Sequence, residues 1–171
     1  EVELAELGNL VTTELAEQGI SFQYDSIPVG SYQQLSFGVG LTDALNAMDP
    51  GDFTTLSPLA RTGNYWASWN SYILSKTEGT LKQSTGNTNF VYHTGVDGMY
   101  QPRNFTTNFT IEADQTTQVV LYLRGEDLFF KQGRPISIVD DNFTHSGAPG
   151  SREYQLASNI LINIADALYV L

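Results

Sequence analysis

The clearest pattern along this chain is a strict alternation over residues 104–113. Phe105, Thr107, Phe109, Ile111 and Ala113 share one parity, and Asn104, Thr106, Asn108, Thr110 and Glu112 take the other. Successive side chains of a strand point to opposite faces, so this alternation, rich in aromatic and β-branched residues, predicts a half-buried antiparallel strand. A polar turn at 114–117 leads into QVVLYLR at 118–124. That run is apolar on both faces, as in a strand buried inside a sandwich or covered by another subunit. Further strands are expected at 20–24, 34–41, 64–74, 77–82, 89–93, 128–131 and 136–139. The chain closes on two apolar runs, 154–164 and 167–171, parted by Ala165-Asp166. From residue 64 onward, strands and turn signals alternate at intervals of about 8–12 residues, which predicts an all-β chain built as an antiparallel β-sandwich or jelly roll.

The first 60 residues read differently. Leu4, Leu7, Val11 and Leu15 recur at three- and four-residue steps, and acidic residues occupy the first turn, where the helix dipole favours them. This predicts a short N-terminal helix over 1–18, stopped by Gly19. It would serve as a stalk or pack on its own domain. Thr42 or Asp43 is placed to cap a helical turn, and Asp49-Pro50-Gly51-Asp52 is a turn signal. The expected division is therefore 1–60, a helix with accessory strands, and 61–171, the sandwich, with the two parts free to share one sheet.

Composition narrows the function. A hydrophobic share of 41% is enough for a core, while charged residues make up only 16%, against roughly 25% in a typical soluble domain. Polar surface must then come from Ser, Thr, Asn and Gln, a habit of extracellular and virion proteins. The net charge of −11, with eight Lys and Arg, excludes nucleic acid and anionic membrane as partners, since neither finds the basic residues it needs. Without cysteine there is no disulfide and no thiolate metal site. No apolar run reaches the length of a membrane span. The chain opens on Glu1 rather than Met, as expected when an upstream segment has been removed.

The candidate chemistry is sparse. His93 and His145 lie far apart, without a partner at zinc-type spacing, and read as two separate surface histidines. Asp140 and Asp141 follow a predicted strand and are the residues best placed to offer oxygen to calcium, but no spaced Asp-x-Asp-x-Asp loop accompanies them, and a solvated acidic loop is the plainer reading. There is no Gly-x-Ser-x-Gly elbow, no phosphate loop and no nucleophile with an evident base, so the expectation is a protein that is not an enzyme. Asn-Phe-Thr recurs at Asn104, Asn108 and Asn142, three possible glycan acceptors. Tyr65, Trp66 and Trp69, with Tyr72, form either a ligand platform or core packing.

The segment TGVDGMY at 94–100, followed by the alternating strand and then QVVLYLRGED, resembles the core of C1q/TNF-like jelly-roll heads on phage and microbial surface fibres. The ending, 156–170, looks like the two closing strands of such heads, with Ile164-Ala165-Asp166 where they carry Ala-Gly-Asp. The likeness covers roughly residues 84–171, and Gln101-Pro102-Arg103 after Tyr100 departs from it. It implies a homotrimer packed about a threefold axis through Tyr100, Phe105, Phe109, Val120, Tyr122, Ile160, Ile162 and Tyr169. The expected role is a structural or attachment subunit of a virion or extracellular fibre, binding other particle proteins and a cell-surface glycan or receptor. Two alternatives stand beside it: the secreted β-domain of an archaeal pilin-like or archaellum-accessory subunit without its hydrophobic anchor, and a carbohydrate-binding module.

Overall fold

In the computed structural model, Val2, Val11, Thr12 and residues 18–170 are described. The N-terminal helix expected over 1–18 lies almost wholly outside them. The alternating segment forms β5 (Gln101–Ile111), whose exposure switches at every residue; the strand starts three residues earlier than expected and ends at Ile111, so Glu112 and Ala113 fall outside it. It pairs antiparallel with β1 (Gly30–Val39) in a two-stranded ribbon. On the ribbon's apolar face Phe105 stacks on Phe37 at 5.2 Å and Phe109 on Tyr32 at 5.4 Å, cross-strand aromatic pairs that lend roughly 0.5–1.5 kcal/mol each beyond their burial. Tyr100 lies over Gly38, where a Cβ would meet its ring at 2.0 Å. Because β1 and β5 come from the two expected parts of the chain, those parts share one sheet.

β3 (Ser71–Gln83) and β4 (Gly86–Gly95) form a long hairpin. β2 (Tyr65–Trp66) pairs with β3, and β7 (Phe143–Thr144) runs parallel to β4, giving a four-stranded sheet in the order β2-β3-β4-β7. β6 (Leu121–Leu123) and β8 (Leu168–Val170) make a small third ribbon. Between β1 and β2 lie a helical turn, α1 (Asp43–Asn46), capped by Thr42, and three short 3-10 turns. At the first of these Asp49 and Asp52 cap each other's backbone reciprocally, as the Asp-Pro-Gly-Asp signal leads one to expect. The chain is thus mainly β, and helices are minor. Among the described residues no helix is long and apolar enough to cross a membrane.

Four expectations need correction. The run at 154–164 is not a strand: Arg152–Asp166 forms the helix α3, capped by Ser151 Oγ, which accepts the Tyr154 N–H at 3.1 Å. Ala157, Ile160, Leu161 and Ala165 are its buried residues at three- and four-residue steps, the helical period hidden inside an apolar run. Ile160, expected at a subunit contact, is therefore core, while Ile162 is half-buried. Second, 118–124 is not a strand buried inside the sandwich, one of its two expected settings: it narrows to β6, and Val120 to Leu123 are 40–47% exposed. Third, 128–131 is mostly the helical turn α2 (Asp127–Phe130). Fourth, residues 20–24 and 136–139 form no strand.

The core gathers on α3 from two sides. Ile160 meets Tyr92 and Ile136, with Phe90 and Phe129 packed against them, and Ala157 and Leu161 meet Met99, flanked by Val39 and Leu74. The helix carries buried polar anchors as well. Asn163, fully buried, donates from Nδ2 to the carbonyls of Leu128 and Arg134, both at 3.0 Å, and accepts Arg134 Nε at 3.1 Å. Asp166 accepts Arg103 Nη2 at 2.7 Å and also pairs with Arg134.

Asn163→Ala leaves two carbonyls and a guanidinium N–H without their partner in the interior, so we expect a loss of about 3 kcal/mol of unfolding free energy in denaturant titration. Gln155→Ala, on the exposed side of the same helix, should stay within about 0.5 kcal/mol. Equal effects would refute the anchoring role of Asn163.

Candidate metal centre

The pleat of β4 sends successive side chains to opposite faces. Tyr92 goes inward against α3, with its hydroxyl donating to Asp141 O at 2.6 Å. His93 takes the other face, and its side chain keeps only 17% of its accessible surface. The parallel bridge matching Val91 with Phe143 and Tyr92 with Thr144 lays β7 alongside, and a Val91 N–H bond to Asn142 O at 2.9 Å fixes its entry. His145, the next residue, is thereby brought against His93. The two imidazoles stack with centroids 4.8 Å apart and planes within 6° of parallel.

Aromatic rings surround the pair. Trp66, on β2, sits 5.6 Å from His145 and 6.3 Å from His93, and Phe143 lies 4.6 Å from His145. Gly95 is what lets Trp66 come this close, because a Cβ there would lie 2.9 Å from Trp66 Cζ3 and 2.7 Å from Tyr72 O. From β3, Glu78 reaches across the sheet. Lys76 is the residue opposite His93, so Glu78 is its diagonal neighbour on the same face. Its Oε1 lies 2.5 Å from His93 Nε2.

The loop bearing His145 is held by buried hydroxyls. Ser146 Oγ accepts the Gly95 N–H at 2.7 Å and donates to His93 O at 3.2 Å. Ser146 N–H donates to Thr144 Oγ1 at 3.0 Å, and that hydroxyl donates to Glu153 O at 2.9 Å. Ser146 holds φ of 72°, a left-handed conformation a non-glycine residue rarely keeps unless its surroundings fix it. The side chain of the residue after His145 thus holds β4 at His93 O and at the Gly95 N–H.

Although His145 is exposed as a residue, its ring lies among other rings. That desolvation, followed by the repulsion of His93, holds its pKa below the usual 6.5, against weaker pulls from Glu153 and Glu78. A neutral imidazole is the ligating form. The site therefore sets two imidazoles side by side, one of them biased toward neutrality. Among the described residues no group of three or more His, Cys, Asp or Glu stands together as a metal cluster, so further coordination would come from water or a ligand.

The other residues singled out in the sequence are dispersed. Trp66 joins the histidines, while Trp69 stands exposed 6.3 Å from it. Tyr65 packs edge-on to buried Tyr72 at 5.0 Å and lines a shallow hollow of about 460 Å³ with Asp49, Pro50 and Ala67. Asp140 accepts Ser137 Oγ at 2.6 Å and Asp141 pairs with Arg152, so each already has a protein partner. Asn104 and Asn108 are exposed along the polar face of β5. Asn142 donates to Asn89 O at 3.2 Å, and the Thr144 of its sequon is fully buried. Sequence reasoning missed the histidine pair, because a parallel bridge between distant segments leaves no spacing to read. The one available signal was parity, which sets His93 opposite Tyr92.

The family model described as MbnP matches residues 2–147, most of the chain, including both histidines and Trp66. No curated protein and no solved structure matches.

Ser146→Ala strands the Gly95 N–H and the His93 carbonyl. We expect a stability loss of about 1–3 kcal/mol, together with weakened nuclear Overhauser contacts between the His93 and His145 rings. Unchanged ring contacts would show that the loop is held without this hydroxyl.

Proposed function

The chain belongs to the MbnP family, and we propose that it is a non-enzymatic, extracellular binding protein for a late first-row transition-metal cation. The observation that carries this is the parallel pair of His93 and His145 at 4.8 Å. Imidazole suits copper, zinc, nickel and iron, and copper(II) stands at the top of the affinity order for nitrogen donors. Hard cations such as calcium find no comparable oxygen cage here, since Asp140 and Asp141 are turned to Ser137 and Arg152. The net charge of −11 raises the local concentration of cations around the site. Trp66 and Phe143 shield the rings on their flanks and limit water around the donors.

Competition titrations with copper(II), zinc(II) and nickel(II) test this reading. One equivalent should bind in the order copper above nickel and zinc, and His93→Ala or His145→Ala should each weaken binding on the order of 100-fold by removing one of two protein donors. Tryptophan emission should fall on copper loading, and less so in Trp66→Phe. Metal binding that survives both histidine substitutions would sink the proposal.

A second reading, an assembly or attachment subunit of a virion or fibre, is favoured by one feature. Val120 to Leu123 are exposed side by side, with Tyr122 stacked on Tyr169 at 5.4 Å. Contiguous apolar surface of this kind suits a subunit contact. Light scattering should then report a trimer that Tyr122→Glu dissociates, and a monomer at high concentration would end that reading.

A further inference from the structure

Glu78 belongs to neither donor set, yet it makes the shortest polar contact of His93, 2.5 Å from its Oε1 to the ring's Nε2. The register that puts it there is fixed by the long β3–β4 hairpin, so the contact is built into the sheet. An ionised carboxylate can only accept hydrogen bonds, so this contact requires the proton of a neutral His93 to sit on Nε2. The lone pair is then left on Nδ1. Building on the metal-binding reading, we propose that Glu78 is a positioning residue that selects the tautomer of His93 and so makes Nδ1 the nitrogen that meets the cation.

The surroundings of the ring agree with such a role. His93 is held among Trp66, His145 and the sheet, with 17% of its side chain accessible, whereas Glu78 is 57% accessible. Ser146 fixes the backbone beneath the ring, through His93 O and the Gly95 N–H. A cation bound through Nε2 would have to displace Glu78. Bound through Nδ1, it leaves that contact in place. This is the usual arrangement in which a ligating histidine gives its other N–H to a carboxylate. No proton need be lost from the neutral ring for the cation to bind there.

Long-range proton–nitrogen NMR on the metal-free protein reads the tautomer directly. His93 should show a protonated Nε2 and a bare Nδ1 in the wild type, with the preference lost in Glu78→Ala. On loading with zinc(II), the coordination shift should fall on Nδ1, and Glu78→Ala should weaken zinc binding by about 10–100-fold. Glu78→Gln, which keeps the shape, tells packing from charge: its ring signals should move toward the alanine variant if the carboxylate sets the tautomer. A wild-type ring protonated on Nδ1, or a zinc shift on Nε2, would overturn the assignment while leaving the histidine pair as a metal site. Failure of both zinc(II) and copper(II) to bind at all would overturn the metal reading and the ligand assignment together.

Discussion

The structure depends on the polar anchoring of α3 as much as on its apolar face. Asn163 satisfies two carbonyls and a guanidinium in a place water does not reach, and Asp166 gathers Arg103 from β5 and Arg134 from the loop after α2. A half-satisfied buried network costs more than an apolar core, so all of its members must be present together. The ribbon, the α2 turn and the segment leading to β7 are each joined to the helix through it. Hydrophobic contact would let the helix slide along the sheet. These hydrogen bonds fix one register.

That register is transmitted to the histidine pair through β4. Tyr92 is wedged against Ile160, and its neighbour His93 is therefore presented on the outer face at a set height. A second polar layer, formed by Asn46, Ser71 and Asp97, holds the chain where it leaves β4: Asn46 bonds the Tyr72 N–H and Asp97, and Ser71 accepts the Val96 N–H. His93 thus stands on a strand secured from beneath and at its end, while His145 stands on the loop after β7 that Ser146 ties to that strand.

Much of this architecture was readable from the chain, and the exceptions share a cause. The alternation at 104–113 is a property of one strand, and the turn at Asp49–Asp52 a property of four residues. Both are found, the strand with shifted ends, because local chemistry decides them. The run at 154–164 was misread because apolarity alone does not separate a buried helix from a strand, although the spacing of Ala157, Ile160, Leu161 and Ala165 held the answer. Val120 to Leu123, apolar on both faces, were expected inside the sandwich or under another subunit, but β6 is short and lies on a small two-stranded ribbon, and they stay exposed in the single chain. The meeting of His93 with His145 depends on the parallel bridge to β7, a pairing between distant segments. Nothing local encodes it.

The two-residue length of β7 has a further consequence. The bridge closes a loop of roughly fifty residues, which includes β5, β6 and both turns around α2, and it holds that loop with very few backbone bonds. Ordering so long a loop costs entropy that short pairing repays poorly. The imidazole stack therefore forms at a seam that closes a long loop through a short strand. A chain without cysteine has no covalent link to set across such a seam. A cation shared by the two rings would act as one, a reversible cross-link whose loop-closure effect is on the order of 4 kcal/mol. Retention of metal and integrity of the seam would then be two descriptions of a single equilibrium.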